Sequence, residues 1–590
     1  MRKLIAFYSV LLLLFFLNPI LLSARTTLNV ADQSSFDLLQ RNLTNAIKTG
    51  EKEIVVNISS GYYIAKENHI NLNEIKAPDV SIRIIGKAAI VLPDGKIFSN
   101  GDLFKGELSY NNSWMDNSQD IKIWSDVRYA DGLVEILDET EKRCRLKSKE
   151  SLVSIVNGAS YILIPHWFQS SIYKIDRISG NYIYFTATDL KKSFEKGYNV
   201  NGDYHYGKKD IRFKLLNAKG ERDCLRIIDG KVFLPTGVTA VREGTVNRLI
   251  TIHNCSFNSI EISGIKFWGN SYVRNSSAIY LNKNKTNTIS IHNCEFRGMR
   301  GNVITITASP NVCIQNNLFA DCYYYGITSN NNSRNTTVKD NTFINIGKRM
   351  QNTFCIVCRG PNFLISNNRL MDFGYGGIGI GVHYKNSDNN PCSGVAENNE
   401  LSYTDGYIAK ITNYGIMDSG AIYLTTKHSG TIIRNNYIHN YSGIKDNRGI
   451  FCDDGAFNLQ IYENVIIGIT NSYCIDSRRV ASVDKSKTPE YGIERANVNI
   501  VIRDNILDGR IRFVAHEDKN NGCVKGHNFV LKKTNGSFPQ NTLKNLSKAE
   551  EDVVLECIDS SKGKIRLSSK SFKQLKKTKI WPFVRNYVVK

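Results

Sequence analysis

The chain has 590 residues, 42% of them hydrophobic and 22% charged, which allows a large core and about two to four domains unless it is built from repeats. Its formal charge of +21 favours an anionic partner. Its thirteen cysteines are spread through a chain of this size, a pattern that excludes a small disulfide-stapled domain, and most are predicted to be small buried hydrophobes.

Residues 1–24 have the pattern of a secretory signal peptide. The segment MRKLIAFYSVLLLLFFLNPILLSA has a basic start, an apolar run and small residues at Ser23 and Ala24. The alternative is an uncleaved membrane anchor. Beyond this segment no run is long and apolar enough to span a bilayer. We therefore expect a protein exported to the periplasm or the cell exterior, with no membrane span after cleavage. Export excludes nucleic acid as its natural partner.

Two regions come before the most regular part of the chain. Residues 25–114 contain strand-like runs such as EIVVNISSGYYI and are predicted to form an N-terminal cap and the first turns of a solenoid, since an open end would expose unpaired strand edges. Residues 115–245 contain less regular runs such as SYILIPHWF and GKVFLP. They predict an inserted β-barrel or sandwich with its own small core.

A repeated motif runs through residues 246–530. Its copies are IHNCSF, IHNCEF, IQNNLF, VKDNTF, ISNNRL, AENNEL, IRNNYI, IYENVI and IRDNIL. Their fourth residues are 255, 294, 317, 341, 368, 399, 436, 464 and 505, with a shortest step of 23. Such a step is typical of a solenoid, and the alternating apolar positions make each copy a strand. Asn suits the recurring turn because it tolerates left-handed backbone and its amide can form a ladder between rungs.

The repeat predicts an all-β protein, a right-handed parallel β-helix. After it, residues 531–590 carry 14 Lys and Arg against 5 Asp and Glu and no longer show the motif. We expect them to form a basic C-terminal cap or extension.

Each repeat also carries a second strand, and unusual residues gather near its end. We align these strands on Ile356, Ile378, Ile422, Ile450 and Ile475. The charged residues three to five positions later are Arg359, His383, Lys427, Asp453, Asp454, Arg478 and Arg479, which we call the charged row. Stacked rungs about 4.8 Å apart would make this row about 20 Å long, the length of several sugar residues.

The members of the charged row also have structural explanations. Asp453 and Asp454 before Gly455 make a good turn, His383 could be packed or face solvent, and the basic side chains could be solvated edge charges. Their convergence on one edge favours a functional site. Asp418, in MDSGAIYL, is a further candidate. On straight strands it would lie about 23 Å from Asp453, too far for a two-carboxylate hydrolase unless the chain bends after it.

These residues resemble a known group of proteins. The Asn-rich rungs, the inserted β block and the succession DSGAIY…GIFCDDG resemble exported parallel β-helix carbohydrate-active enzymes of Bacteroidetes, which include polysaccharide lyases and glycoside hydrolases. SGAIY and DDG resemble motifs of β-helix xylosidase- and fucosidase-type hydrolases, whose aspartates carry the chemistry. This resemblance implies Asp418 with Asp453 or Asp454. The Asp-Asp-Pro motif of the β-helix α-1,3-galactosidases and a complete pectate-lyase calcium signature are absent from the sequence.

The reaction that the sequence favours is β-elimination by a lyase that acts on an acidic, uronate-containing polysaccharide such as a glycosaminoglycan. A base, Lys427 or His383, would remove the proton next to the uronate carboxylate, and arginines of the charged row would neutralise that carboxylate. Tyr423 would contact the substrate. The paired aspartates could also hold Ca²⁺.

Two other functions stay open. In a glycoside hydrolase, Asp453 or Asp454 would be the base or nucleophile and Asp418 the acid. In a non-catalytic β-helix, the long face would only bind glycans. In all three cases we expect a monomer whose partner is a polysaccharide, and an anionic one fits the basic charge.

Overall fold

The computed structural model describes most of the chain between residues 25 and 589. The described ranges are 25–65, 68–91, 103–107, 130–138, 143–149, 151, 159–165, 170–186, 210–217, 226–228, 231–233, 248–269, 277–299, 301–322, 324–347, 353–382, 392–404, 419–425, 427–441, 447–453, 455–469, 472–477, 497–514, 522–533, 541–544, 546–560 and 563–589. The predicted signal peptide lies outside them.

Three long sheets of parallel strands form a β-helix, as the repeat predicts. Sheet 1 has 14 strands: Arg25–Val30, Glu53–Ile58, Lys76–Gly86, Ser256–Ser263, Thr288–His292, Val312–Gln315, Thr337–Lys339, Phe363–Ser366, Gly394–Glu397, Lys427–Arg434, Phe457–Tyr462, Val498–Arg503, Val524–Lys525 and Lys548–Ala549. Sheet 2 has 12: Ile70–Asn73, Arg248–His253, Ser277–Asn282, Asn302–Thr307, Ile327–Ser329, Phe354–Cys358, Gly376–Ile380, Gly420–Leu424, Arg448–Cys452, Tyr473–Ser477, Arg510–Val514 and Thr542–Lys544.

Sheet 3 completes each turn of the helix. Its 15 strands are Tyr62–Ile64, Ala89–Val91, Lys266–Trp268, Glu295–Arg297, Leu318–Ala320, Thr342–Ile346, Arg369–Phe373, Glu400–Ser402, Tyr437–His439, Val465–Ile467, Ile506–Leu507, Phe529–Lys533, Val553–Asp559, Ile565–Leu567 and Val588–Val589. The chain passes from sheet 1 to sheet 3 to sheet 2 in each turn, and one such turn is a rung.

The repeated Asn forms the predicted ladder at the corner between sheets 1 and 3. The residue before it has left-handed backbone, as at Asn316 with φ of 55°. The Asn317 side-chain amide donates to Oδ1 of Asn341 at 3.0 Å and to the carbonyl oxygen of Ile291 at 3.0 Å. The same contacts continue through Asn368, Asn399, Asn436, Asn464, Asn505 and Asn528. These bonds satisfy polar groups inside the corner that would otherwise be costly to bury.

Aligned apolar side chains fill the interior. Phe267, Phe296, Phe319 and Phe343 stack along sheet 3 with ring centroids 4.5 to 5.0 Å apart. All four are fully buried, and each such side chain contributes about 1.5–3 kcal/mol. The twelve described cysteines are free thiols, and eleven of them are buried. Burial raises the pKa of the Cys294 thiol to about 12, so these residues act as small hydrophobes, as predicted.

Two helices pack at the N-terminal end. The helix Gln33–Asp37 begins with a capping box between Asp32 and Ser35, and the helix Leu39–Lys48 follows it. Phe36 and Leu43 are fully buried, and both helices contact the first strands of the sheets. The helices therefore cover apolar positions that the first rung would expose.

The inserted block contains a closed antiparallel barrel. Its strands, in barrel order, are Ala159–Pro165, Ser170–Ser179, Tyr182–Thr186, Arg143–Ser148, Ala130–Asp138 and Asp210–Asn217. A separate three-stranded sheet pairs Arg226–Ile228, Lys231–Phe233 and Leu103–Glu107. The strand pairing of the insertion therefore reaches back to Leu103, before the boundary at residue 115 that the sequence indicates.

The β-helix also extends beyond residue 530. Strands as late as Val553–Asp559 still pair in parallel with the rung before them, although the Asn motif has ended. The helices Ser569–Lys576 and Trp581–Val584 follow, and Leu575, Ile580 and Val584 join an apolar cluster beneath them. Within the described residues, none of the helices has the length and apolarity needed to cross a membrane.

Candidate active site

The rungs of sheet 2 have the alignment predicted from the sequence. Ile356 pairs with Ile378, Ile378 with Ile422, Ile422 with Ile450, and Ile450 with Ile475. These isoleucines are fully buried in the core. Because side chains alternate along a strand, the residue after each isoleucine faces outward, away from the three-sheet interior. The outer face of sheet 2 is therefore defined by these neighbours.

An outward row on sheet 2 combines aromatic and charged side chains. In register, it contains Tyr423, Phe451, Asp476 and Arg512 on four successive rungs. The preceding rung has Gly379 at this position, and a Cβ there would come within 2.8 Å of Cγ2 of Val382 and within 3.1 Å of the Phe354 ring. The glycine therefore leaves space for Val382 and for Phe354, whose ring packs 5.9 Å from the Tyr423 ring. This packing helps to hold Tyr423 in one position.

Tyr423 and Asp453 form a buried pair at the end of this row. The Tyr423 hydroxyl donates to Oδ2 of Asp453 at 2.8 Å, and the two residues are 7% and 4% exposed. Asp453 follows the strand Arg448–Cys452. It begins a turn in which its carbonyl oxygen accepts from the Ala456 amide, and Gly455 supplies the left-handed backbone of that turn. The carboxylate is thus fixed by both the turn and the phenol.

A buried ionic cluster lies next to this pair on the same face. Nε of Arg448 donates to Oδ2 of Asp476 at 2.6 Å, and both side chains are fully buried. Nε of Arg512 donates to Oδ1 of the same carboxylate at 2.8 Å. The Arg448 guanidinium also lies 4.1 Å from the Phe451 ring, and that ring meets Tyr423 edge-on at 5.1 Å. An unbroken series of contacts therefore connects Asp453 to Arg512.

Arginine and tyrosine side chains stack at the outer end of the cluster. The guanidinium carbons of Arg512 and Arg510 lie 4.2 and 4.8 Å from the centre of the Tyr473 ring. Arg510 is exposed and Tyr473 is half-buried. This Arg510–Tyr473–Arg512 stack begins one rung beyond Asp453 and reaches solvent.

The sequence-predicted residues are only partly brought together. Tyr423 and Asp453 lie in contact, as described. Arg359 is partly buried, and its Nε donates to the carbonyl oxygen of Val382, while burial lowers the pKa of its guanidinium. Lys427 begins a strand of sheet 1, where it pairs with Phe457. Asp418, Asp454, His383, Arg478 and Arg479 lie outside the described residues, so their roles stay predictions.

Three charged residues of the site were not among the sequence candidates. Arg448 lies two positions before the aligned isoleucine of its rung, and Asp476 and Arg512 each lie one position after theirs. All three lie outside positions three to five after the isoleucine, which hold the charged row. The outward alternation of the strand was the signal that would have found Asp476 and Arg512.

Calcium binding at Asp453 is not supported by the described residues alone. Within them, no group of three His, Cys, Asp or Glu side chains lies close enough to hold a metal ion. Ca²⁺ takes about six to eight oxygen ligands, and Oδ2 of Asp453 already accepts from Tyr423. Calcium binding through Asp453 and Asp454 stays a prediction.

Comparisons with known proteins give similarities only to solved structures. No family model matches the chain, and no curated protein matches it. A glycoside hydrolase is 12% identical, with a TM-score of 0.44 over 89% of this chain and 96% of that chain. A mannuronan C-5 epimerase A-module from Azotobacter vinelandii is 11% identical, with a TM-score of 0.39 over 90% and 96%. The tailspike protein of E. coli bacteriophage HK620, in complex with a pentasaccharide, is 9% identical, with a TM-score of 0.39 over 91% and 81%. At these values the similarities carry no conclusion about function.

Proposed function

We propose that the protein is an exported enzyme that cleaves a polysaccharide, with Asp453 as a catalytic carboxylate. The observation that carries this proposal is the 2.8 Å hydrogen bond from Tyr423 to a buried Asp453 on the outer face of a long β-helix. A carboxylate held by a tyrosine and a turn is oriented before substrate binds, which favours catalysis. A face of stacked rungs offers an extended surface to a polymer.

Hydrolysis is the reaction that this geometry favours. Tyr423 donates to one oxygen of Asp453, which keeps the group an acceptor suited to act as base or nucleophile at a glycosidic bond. The second carboxyl group, which protonates the leaving oxygen, would be Asp418 or Asp454. In the overall reaction, one water molecule is added across the bond: its hydroxyl goes to the anomeric carbon and its proton to the leaving oxygen.

β-Elimination is the second candidate, and the basic arginines support it. A lyase needs a group that accepts a carbon-bound proton and a cation that neutralises the neighbouring carboxylate. Lys427 or His383 would accept the carbon-bound proton. The arginines of the Arg510–Tyr473–Arg512 stack would neutralise the carboxylate, and the charge of +21 fits an acidic substrate. Hydrolysis ranks first because it uses the oriented carboxylate of Asp453 directly, whereas the base of a lyase would be a different residue, Lys427 or His383.

Product masses separate these reactions. The purified chain is incubated with uronate-containing and neutral polysaccharides, and the oligosaccharides are weighed by mass spectrometry in ordinary and in ¹⁸O-labelled water. Hydrolysis adds one water, with its label, at every cleavage. Elimination adds none and leaves an unsaturated uronate. Binding without any product from the panel would contradict the enzymatic proposal and favour a non-catalytic glycan-binding protein.

A further inference from the structure

We propose that the Arg510–Tyr473–Arg512 stack is a substrate subsite that binds an anionic group, a carboxylate or a sulfate, on a sugar of the polymer. The proposal rests on the function proposed above and deepens it, because it names the substrate as an acidic polysaccharide. The basic charge of the whole chain also favours an acidic substrate, but it does not show where that substrate binds. The stack provides a location for the binding site.

The position of the stack relative to Asp453 fits a polymer that crosses sheet 2 obliquely. Arg510 and Arg512 lie two rungs beyond Asp453 on the same sheet, about 10 Å along the axis. They are in register with Arg448 and Phe451 of the rung that Asp453 follows, so they also lie five and two positions to one side of Asp453, about 16 and 7 Å along the strands. The two offsets together give about 19 Å to Arg510 and about 12 Å to Arg512, the length of about two to four sugar rings. A chain whose glycosidic bond lies at Asp453 would therefore place another of its sugars over the stack.

The stack and the buried ion pair next to it carry a net positive charge. Arg448, Arg510 and Arg512 bring three positive charges and Asp476 brings one negative charge, so these four side chains carry a net +2. Arg448 and Asp476 are fully buried, whereas 22% of the Arg512 side chain is exposed and Arg510 faces solvent. The excess charge is therefore presented at the surface by the two outer arginines.

The stacking geometry also suits recognition of a planar or tetrahedral anion. A guanidinium that lies over an aromatic ring uses its face for the ring and keeps its N–H donors at its edge, in a fork that matches carboxylate and sulfate oxygens. Asp476 already accepts from Nε and one terminal nitrogen of Arg512, so the fork offered to an anion is that of the exposed Arg510, and Arg512 adds its positive charge. The buried Arg448–Asp476 pair acts here as a positioning group for Arg512, and Tyr473 positions both outer arginines.

The test is binding measured by isothermal titration calorimetry with the full chain carrying Asp453→Asn, so that the polymer is not consumed. The probes are unsulfated chondroitin, chondroitin sulfate, alginate, polygalacturonate and carboxyl-reduced forms of the unsulfated polymers. Arg510→Gln removes one exposed cation. The matched control is Arg503→Gln, because Arg503 lies 4.5 Å over the Tyr462 ring in the same kind of stack but on sheet 1.

The subsite predicts that Arg510→Gln weakens binding of at least one acidic polymer about tenfold or more, while Arg503→Gln changes it less than about twofold. A carboxyl-reduced polymer should bind the Asp453→Asn parent and the Arg510→Gln variant of that parent with equal affinity. Comparison of the affinities for unsulfated chondroitin and chondroitin sulfate shows whether a carboxylate or a sulfate is bound.

Equal affinity of Arg510→Gln and the Asp453→Asn parent for every acidic probe, or no binding of any probe by that parent, would overturn the subsite. Cleavage of a polymer with unchanged Arg510→Gln affinity would reject the subsite alone, whereas an Arg510-dependent affinity without cleavage by the unmutated chain would reject only the enzyme.

Discussion

The hydroxyl of Tyr423 and the carboxylate of Asp453 lie 2.8 Å apart, on neighbouring rungs and beneath the surface of the β-helix. Neither strand could place this contact alone. It depends on the pairing of Ile422 with Ile450, which sets the register between the two strands. Packing of the repeat therefore determines the geometry at the proposed catalytic carboxylate.

Removal of the Tyr423 hydroxyl should reduce turnover more than stability. Tyr423→Phe keeps the ring between Phe354 and Phe451 but leaves Asp453 without this donor. We expect kcat to fall about 10- to 100-fold through misorientation of the carboxylate, and the free energy of unfolding to fall by about 1–2 kcal/mol. Steady-state kinetics and urea unfolding measure the two effects.

The control for that variant is Tyr462→Phe on sheet 1, whose hydroxyl accepts from Arg434. It makes the same chemical change away from the site and should leave kcat unchanged. A Tyr423→Phe enzyme with the turnover of the unmutated chain would show that the pair is structural.

The Arg448–Asp476 ion pair should be strongly coupled. Arg448→Met and Asp476→Leu each remove one partner of a fully buried pair, and we expect each to cost about 3–5 kcal/mol. The double variant removes both charges and should cost much less than the sum. Urea unfolding of all four proteins gives the coupling energy, and a value below about 0.5 kcal/mol would contradict the described contact.

The asparagine ladder should dominate the stability of its corner. Asn399→Ala removes an amide that bonds Asn436 and the Ile365 carbonyl, and it also leaves the Asn368 amides without their acceptor. We expect a loss of about 2–4 kcal/mol in the free energy of unfolding. Asn287→Ala, an exposed asparagine with one long bond to Asn258, is the matched control and should cost less than about 0.5 kcal/mol. Similar losses in both variants would refute the structural role of the ladder.

His428 should make the protein less stable in acid. Its Nε2 lies 3.0 Å from the carbonyl oxygen of Thr425 and its Nδ1 lies 3.0 Å from the Thr431 hydroxyl, so the neutral ring donates to the first and accepts from the second. Burial lowers the pKa of His428 from 6.5 to about 4. Between these values the unfolded chain binds a proton that the folded chain does not, so the contribution of this group is complete above pH 6.5 and is lost as the pH falls toward 4.

That loss amounts to about 3 kcal/mol at most. His428→Gln cannot gain the proton, so the difference in unfolding free energy between it and the unmutated chain should narrow or reverse from pH 7.5 to pH 4.5. A difference that stays constant with pH would contradict the assignment. Urea unfolding at several pH values provides the measurement.

The fold could be predicted from the sequence because its determinants are local and repeated. The Asn or Cys after each left-handed residue marks the same corner in every rung, and the aligned isoleucines mark the interior of sheet 2. The pairing of Leu103–Glu107 with Lys231–Phe233 could not be predicted, since it joins segments more than about 100 residues apart and no repeat connects them. The last rungs were missed because their sheets continue without the motif.

The site was found only in part for a related reason. Tyr423 and Asp453 could be predicted because they lie near the aligned isoleucines and next to a recognisable DDG turn. Arg448 and Asp476 could not be distinguished from ordinary surface charges, since the amino-acid sequence does not show that both are fully buried and share a hydrogen bond. Burial and pairing depend on the assembled outer face, which only the three-dimensional structure provides.

The most direct test of the central claim is the rate at which Asp453→Asn releases reducing ends from a polysaccharide that the unmutated chain cleaves. Asparagine keeps the size of the side chain and an acceptor for Tyr423, so the variant should remain folded by circular dichroism. We predict a loss of activity of about a thousandfold or more, as expected for a catalytic carboxylate. Activity within about tenfold of the unmutated chain would show that the catalytic carboxylate is not Asp453.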